Sequence, residues 1–343
     1  MTGPAEQGGA ERRLVRAWQR RGPLACVLWP LSLLFGLLAG LRRAGYRAGL
    51  FASETLPVPV VVVGNIFVGG TGKTPFTIWL VEQLRQAGFH PGVISRGYGA
   101  QRELPLSVGA ASSTAQTGDE PALIARRTGC PVVVCRDRVA AARALLAEHP
   151  GVDLIISDDG LQHYRLGRDV EVVLCDARGN GNGWLLPAGP LREPASRRRD
   201  FTVVNGTAIP PGIPGGAWLM RLVAGEAYAL SAPASRLPLP SFAGRKIAAA
   251  AGIGNPSRFF AMLRGAGLDP AELPLPDHHD FRDNPFSAIG AEIILITEKD
   301  AVKCSQIDTI RNDPRIWVVP VTASVDPALA QRITEKCRGR PTA

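Results

Sequence analysis

Apolar positions in this 343-residue chain fall into two patterns. The first is one uncharged run, GPLACVLWPLSLLFGLLAGL at 22–41, bracketed by Arg20-Arg21 and Arg42-Arg43. As a helix it would be about 30 Å long, the hydrocarbon thickness of a bilayer. The second is a series of short apolar segments that begins after Pro57-Val58-Pro59: VVVVG at 60–64, VIS at 93–95, PVVVC at 131–135, DLIISDD at 153–159, EVVLCDA at 171–177 and FTVVNG at 201–206. These do not alternate, so both faces of each strand must be buried. Helical spacing intervenes, with Phe76, Leu80 and Leu84 in Lys73–Gln86 and again at 138–146. Strands of this kind separated by helices predict a parallel sheet covered on both faces.

A Pro- and Gly-rich stretch at 210–216 marks a boundary. Beyond it come a β-like segment at 217–230, a strand–turn–helix unit at 246–265, and the strands EIILITEKD and RIWVVPV. With the glycine-rich turn Gly69-Gly70-Thr71-Gly72-Lys73-Thr74 after its first strand, the expected fold is α/β: a P-loop NTPase-like, mostly parallel sheet covered by helices, a second smaller α/β lobe, and an N-terminal membrane-associating helix. The expected domains are a basic apolar anchor at 1–56, a P-loop core at 57–209 and a lobe at 210–343 that closes the cleft.

Composition narrows the partners. Apolar residues at 45% and charged residues at 20% exclude a disordered chain. Six cysteines form no C-x-x-C pair, which points to a reduced compartment without a structural zinc site. The net charge is +9, and the first 50 residues hold eight arginines against Glu6 and Glu11. Such an asymmetry predicts an anionic surface as partner. The arginines flank an apolar run instead of forming a groove, which favours a membrane over nucleic acid. An interfacial helix with snorkelling arginines suits that charge placement. A true span conflicts with the positive-inside bias and with Pro23 and Pro30; a buried first helix is the plainest alternative.

The candidate chemistry starts at Gly69-Gly70-Thr71-Gly72-Lys73-Thr74, followed by Pro75, between an apolar strand and a helix. Backbone N–H groups and the helix start would face phosphate, Lys73 supplies positive charge, and Thr74 offers a hydroxyl to Mg²⁺. The common G-x-x-x-x-G-K-[ST] loop would need glycine at Phe67, and the variant K-G-G-x-G-K-[ST] would need lysine at Val68. Asp158-Asp159 ends another apolar strand, where a carboxylate can hold Mg²⁺. A base is available in GDEP at 118–121 or DHHD at 277–280. Taken alone, Asp119 reads first as a helix cap ahead of a helix at 120–127, and His278 reads equally as a loop histidine or a catalytic one.

Taken together, the runs VGNIFVGGTGKTP, SRGYG, GDEP, ISDDGLQH, LPAGPLREP, PDHHDF and TEKDAVK, in this order, resemble the tetraacyldisaccharide 4'-kinases of lipid A synthesis. The resemblance covers about 14–320, and a non-glycine at 67 is normal for that family. It implies ATP and Mg²⁺ as cofactors and an acylated disaccharide 1-phosphate lipid as acceptor. It places the enzyme at the cytoplasmic face of the bacterial inner membrane, with no nucleic acid and no stable protein partner. Lys73 and Thr74 would serve the phosphates and metal, with Asp158, Asp159 and Glu120 in the metal region. Asp119, paired with His278, would accept the hydroxyl proton. His163, Arg192 and Glu193 would lie near the substrate, as would Arg96 and Tyr98. A membrane-recruited P-loop ATPase of the partitioning or metal-chaperone type is the competing class; it has no use for GPLREP or PDHH.

Overall fold

The structure, a computed structural model, describes residues 17–97, 104–109 and 112–339. It divides into two compact units that interleave along the chain. The first comprises 17–73, Leu154–Arg221 and 325–339; the second, Thr74–Asp153 and Leu222–Ser324.

In the first unit, strands Trp218–Ala224, Phe201–Asn205, Val170–Asp176, Val60–Asn65 and Leu154–Asp158 lie side by side in that order, all parallel. Val60–Asn65 lies between Val170–Asp176 and Leu154–Asp158, and every one of its residues is buried. That explains the unbroken valines: a strand covered on both faces has no solvent side on which to place a polar residue. At the carboxyl ends of four neighbouring strands stand polar residues, Asn65, Asp158, Asp176 and Asn205. In open α/β sheets that edge is where ligands bind.

The 22–41 run, after Gly22 as its cap, lies within a helix, Pro23–Arg47. Pro23 sits in its first turn, where the missing N–H has no intrahelical partner to lose. The helix continues through Pro30, which therefore does not interrupt it as the sequence suggested. It is not a buried first helix either. Val27, Leu31, Leu33, Leu34, Leu37, Leu38 and Leu41 are all more than half exposed, an apolar surface of the kind that marks an interaction site. By length and composition it is able to cross a membrane. It is attached along its length: Ser32 Oγ donates to Leu185 O (2.8 Å) and accepts from Ala188 N (2.9 Å), a Cβ on Gly36 would come within 2.8 Å of Leu185 Cδ1, and the Trp29 and Tyr46 rings lie 6.1 Å from Trp184 and 5.8 Å from Tyr164.

The second unit holds strand Pro91–Ser95 paired parallel to Val132–Val134, with Leu106–Ser107 antiparallel at the latter's other side. It also holds a six-stranded sheet in the order Arg236–Leu237, Ala227–Ala229, Ile316–Val319, Ile293–Thr297, Ile247–Ala251 and Ala271–Pro274. Alternate residues of its central strands enter two separate cores. Ala249, Leu295 and Trp317 belong to one, and Ala248, Ile294 and Val318 to the other. Period-two alternation thus sorts two apolar faces here, and no polar face exists.

Candidate active site

The glycine-rich turn follows Val60–Asn65 in the first unit and ends at Lys73, the first residue of the helix Lys73–Gln86. Gly69 (φ 101°) and Gly72 (φ 91°) occupy conformations that favour glycine. A Cβ on Gly72 would also strike Asn205 Nδ2, whereas one on Gly70 would meet open space. Phe67 shows no positive φ. It is buried, bridges Leu191, and carries the Arg178 guanidinium 4.3 Å over its ring. The position therefore needs an aromatic platform and not a flexible turn. Val68 N donates to Pro190 O (2.9 Å), fastening the turn to the GPLREP run.

Two asparagines hold this turn. Asn65 Nδ2 donates to Phe67 O (2.6 Å) and Gly69 O (2.9 Å), while its Oδ1 accepts from Lys73 Nζ (3.2 Å). Asn205 Nδ2 donates to Thr71 O (3.1 Å). Thr71 Oγ1 is buried with no hydrogen-bond partner among the described residues. Lys73 Nζ lies 3.7 Å from Asp159, which Arg192 approaches from another side at 3.4 Å. Arg178 is clamped by Asp176 (2.7 Å) and donates to Gly70 O (3.1 Å), with its Nη1 3.5 Å from where a Gly69 Cβ would be. Three cations therefore gather around the turn, with Asp159 and Asp176 as their counter-charges. Thr74 and Asp158 are buried, and Pro75 is half-buried.

Glu193 is buried and collects Arg197 Nε (2.7 Å), Tyr164 Oη (2.8 Å) and Gln162 Nε2 (2.8 Å). Burial and this carboxylate push the Tyr164 phenol up to about 12. Arg197 also pairs with Glu171 at 2.7 Å, and both its neighbouring carboxylates lose their main partner if it is removed. Arg197→Ala is therefore expected to destabilise the protein by about 3–5 kcal/mol, since it leaves charge buried and uncompensated. Urea unfolding of the two proteins measures this; a loss below about 1 kcal/mol would mean that water replaces the guanidinium. His163 is half-buried, with its backbone oxygen accepting from Arg168.

In the second unit a different constellation forms. Asp119 opens the helix Asp119–Thr128 behind Gly118, whose φ of 84° makes it the turn residue. The cap is Gly118 and Asp119 is the first helical residue, so it is not the helix cap; its Oδ1 accepts from Glu120 N (3.1 Å), one of the N–H groups a helix start leaves free. Its Oδ2 lies 3.1 Å from His278 Nδ1, 3.0 Å from Lys303 Nζ and 3.9 Å from Lys299 Nζ. Burial alone would raise the Asp119 pKa. The hydrogen bond from His278 and the charges of Lys299 and Lys303 outweigh it and hold the carboxyl well below the ordinary carboxylate range. Lys299 also bridges Glu120 (3.1 Å) and Asp277 (3.5 Å), and these acids raise its own pKa against the effect of burial.

His278 has a φ of 61° and donates its backbone N–H to Gly252 O (3.1 Å). The buried Asp300 carboxylate accepts from Gly252 N (3.1 Å) and from Thr297 Oγ1 (2.7 Å), fixing the loop from the other side. His279 is oriented differently: its Nδ1 accepts from Phe281 N (3.0 Å). Asp119 and His278 are thus brought together, and His279 is not part of that pair. Arg96 is exposed at the end of Pro91–Ser95; Tyr98 lies outside the described residues.

Several of these groups went unassigned in the sequence reading. Asn65 and Asn205 could have been suspected, because each is the first polar residue after an apolar strand. Lys299 and Lys303 sit four apart in TEKDAVK, and their shared helix face is the only local sign of a joint role.

The comparisons with known proteins agree with one another. A sequence model of the family described as tetraacyldisaccharide-1-P 4'-kinase matches residues 24–338. A tetraacyldisaccharide 4'-kinase from Janthinobacterium sp. (strain Marseille) is 61% identical, covering 98% of this chain and 99% of the relative. One from Herminiimonas arsenicoxydans is also 61% identical, with 96% of each chain covered. The crystal structure of an "apo" form of LpxK from Aquifex aeolicus in complex with ATP is similar with a TM-score of 0.75 at 28% identity, covering 91% of this chain and 99% of that one. The expected α/β P-loop kinase fold is the one observed, and the chain belongs to the tetraacyldisaccharide-1-P 4'-kinase family.

Proposed function

We propose that the chain transfers the γ-phosphoryl group of ATP to the 4'-hydroxyl of a tetraacylated glucosamine disaccharide 1-phosphate, at the cytoplasmic face of the inner membrane. Family membership supports the activity, and one observation carries the mechanism: a buried carboxylate held ionised by His278, Lys299 and Lys303. A nucleotide switch needs a phosphate-binding turn but has no need of such a group.

The turn fits an oligophosphate. Gly70 leaves open space, Gly69 and Gly72 take positive-φ conformations of the kind found in anion-binding turns, and Thr71 Oγ1 is a buried hydroxyl with no partner among the described residues. Lys73, steered by Asn65, and Arg178 supply charge to the phosphates. Thr74, Asp158 and Asp159 offer the hard oxygen ligands that suit Mg²⁺. When bound, the metal neutralises charge on the phosphates. Glu120 is engaged by Lys299, so we assign it to fixing that lysine.

Asp119 accepts a hydrogen bond from the acceptor hydroxyl and takes its proton late, as the oxygen bonds to phosphorus. A strongly depressed pKa suits this timing, because the carboxylate stays charged and orients the hydroxyl without deprotonating it early. His278 fixes the carboxylate, and Lys299 and Lys303 hold its charge. We assign Arg192 to positioning Asp159 beside Lys73, and Arg96, Tyr98 and His163 to the acceptor.

The exposed helix Pro23–Arg47 supports membrane association, with its leucines among acyl chains and Arg42, Arg43 and Arg47 at the headgroups. The test is incubation of purified protein with Mg-ATP and a tetraacyl disaccharide 1-phosphate. The lipid is expected to gain one phosphoryl group by mass. ATP hydrolysis that leaves the lipid unchanged would instead support the switch-type ATPase.

A further inference from the structure

An arginine-lined cavity of about 530 Å³ opens in the first unit at the end of the apolar helix. Six arginines line it, against the two acids Glu171 and Asp200. Its wall is rigid: Arg197 is locked between Glu171 and Glu193, and Tyr164 between Glu193 and the guanidinium of Arg168, 5.6 Å over its ring. Other cations in it are spare. Arg47 and Arg198 are exposed with no ion pair among the described residues, and Arg43 has only a long contact of 3.9 Å with Glu193. Asp200 is occupied by Lys336 at 2.8 Å. Burial also lowers the pKa of Arg168 and Arg199, so positive charge is held here at a cost that a bound anion would relieve.

We infer that this cavity binds the phosphate headgroup of an anionic glycerophospholipid of the surrounding membrane. The inference rests on the membrane-bound reading above. Arg43, Tyr46 and Arg47 belong to the last turns of the helix whose leucines are exposed, so the cavity lies where that helix leaves the hydrocarbon. Basic pockets at that level select anionic headgroups. Bulk lipid is favoured over the phosphorylation substrate because none of Lys73, Asp159, Asp119 and His278 lines the cavity. Ser53, also in the lining, adds a hydroxyl donor for a phosphate oxygen.

The test compares binding of the full chain to phosphatidylcholine vesicles with and without phosphatidylglycerol. Arg47→Gln/Arg198→Gln is set beside Arg20→Gln/Arg165→Gln, which removes equal charge from exposed residues outside the cavity. The first pair is expected to lose roughly thirtyfold of the preference for phosphatidylglycerol, at about one tenfold step per 1.4 kcal/mol and about 1 kcal/mol per arginine. It should keep its binding to neutral vesicles and its turnover on substrate in neutral detergent micelles. Equal losses in both pairs would show a diffuse basic surface and overturn the inference. A KM for micellar substrate that rises as vesicle binding falls would give the cavity to the substrate and overturn it too. A wild-type protein without kinase activity would instead refute the function, whatever its lipid preference.

Discussion

Replacing Asp119 by asparagine is expected to lower turnover by about 10²–10⁴-fold, the usual contribution of a positioned base. The substitution keeps shape and the contact to Glu120 N, but removes the charge on which His278, Lys299 and Lys303 converge. Apparent affinity for the lipid should change little, because the lost interaction develops mainly in the transition state. His278→Ala is expected to cost less, since the two lysines still hold the carboxylate ionised. Steady-state kinetics on both variants decide this; an asparagine variant within tenfold of wild type would remove Asp119 from the chemistry. The pH dependence has a definite sign. The folded pKa of Asp119 is depressed, so the stability it contributes is full above the ordinary value of about 3.9 and is lost as pH falls toward the folded value. Asp119 therefore sets no acid limb of activity near neutrality. Acid unfolding of the asparagine variant should show a weaker dependence on pH in that low range.

Removal of the Lys73 ammonium has the second largest expected effect, on the order of 10²–10³ in turnover for Lys73→Ala. Lys73 is held by Asn65 Oδ1 and faces Asp159, so its position is set before any phosphate arrives. The alanine variant removes one of the cations beside Asp159, which adds repulsion toward an anionic ligand. Asn65→Ala tests the positioning separately. It deletes the bonds to Phe67 O and Gly69 O and frees the lysine, and KM for ATP is expected to rise by about tenfold. If Asn65→Ala leaves KM unchanged while Lys73→Ala abolishes activity, the turn holds its shape through Asn205 and Val68 instead.

The fold was legible wherever burial erases polarity. VVVVG and EIILIT declared themselves because both faces of those strands are covered, as the two alternating cores in the second unit show for the latter. Short edge segments were not legible. Leu106–Ser107 and Arg236–Leu237 are two residues each, and Ala271–Pro274 carries an exposed Glu272 and ends in proline. The helix through Pro30 was misjudged because a proline removes one backbone bond, which a 25-residue helix tolerates. Around the site, the glycines, Lys73 and Asp119 were visible as local motifs. Lys299 was not, because its partner Asp119 is 180 positions away and only the tertiary fold brings the two together. Phe67 is the instructive position: it breaks the common loop pattern, and the guanidinium above its ring supplies the reason.

The central claim, phosphoryl transfer to the 4'-hydroxyl, is tested most directly by a single turnover with γ-labelled ATP on two acceptors. One is the acylated disaccharide 1-phosphate and the other its 4'-deoxy analogue. Label is expected on the lipid in the first case and nowhere on the lipid in the second. Label released to water at the same rate with both acceptors, or found on the 4'-deoxy lipid, would contradict the account.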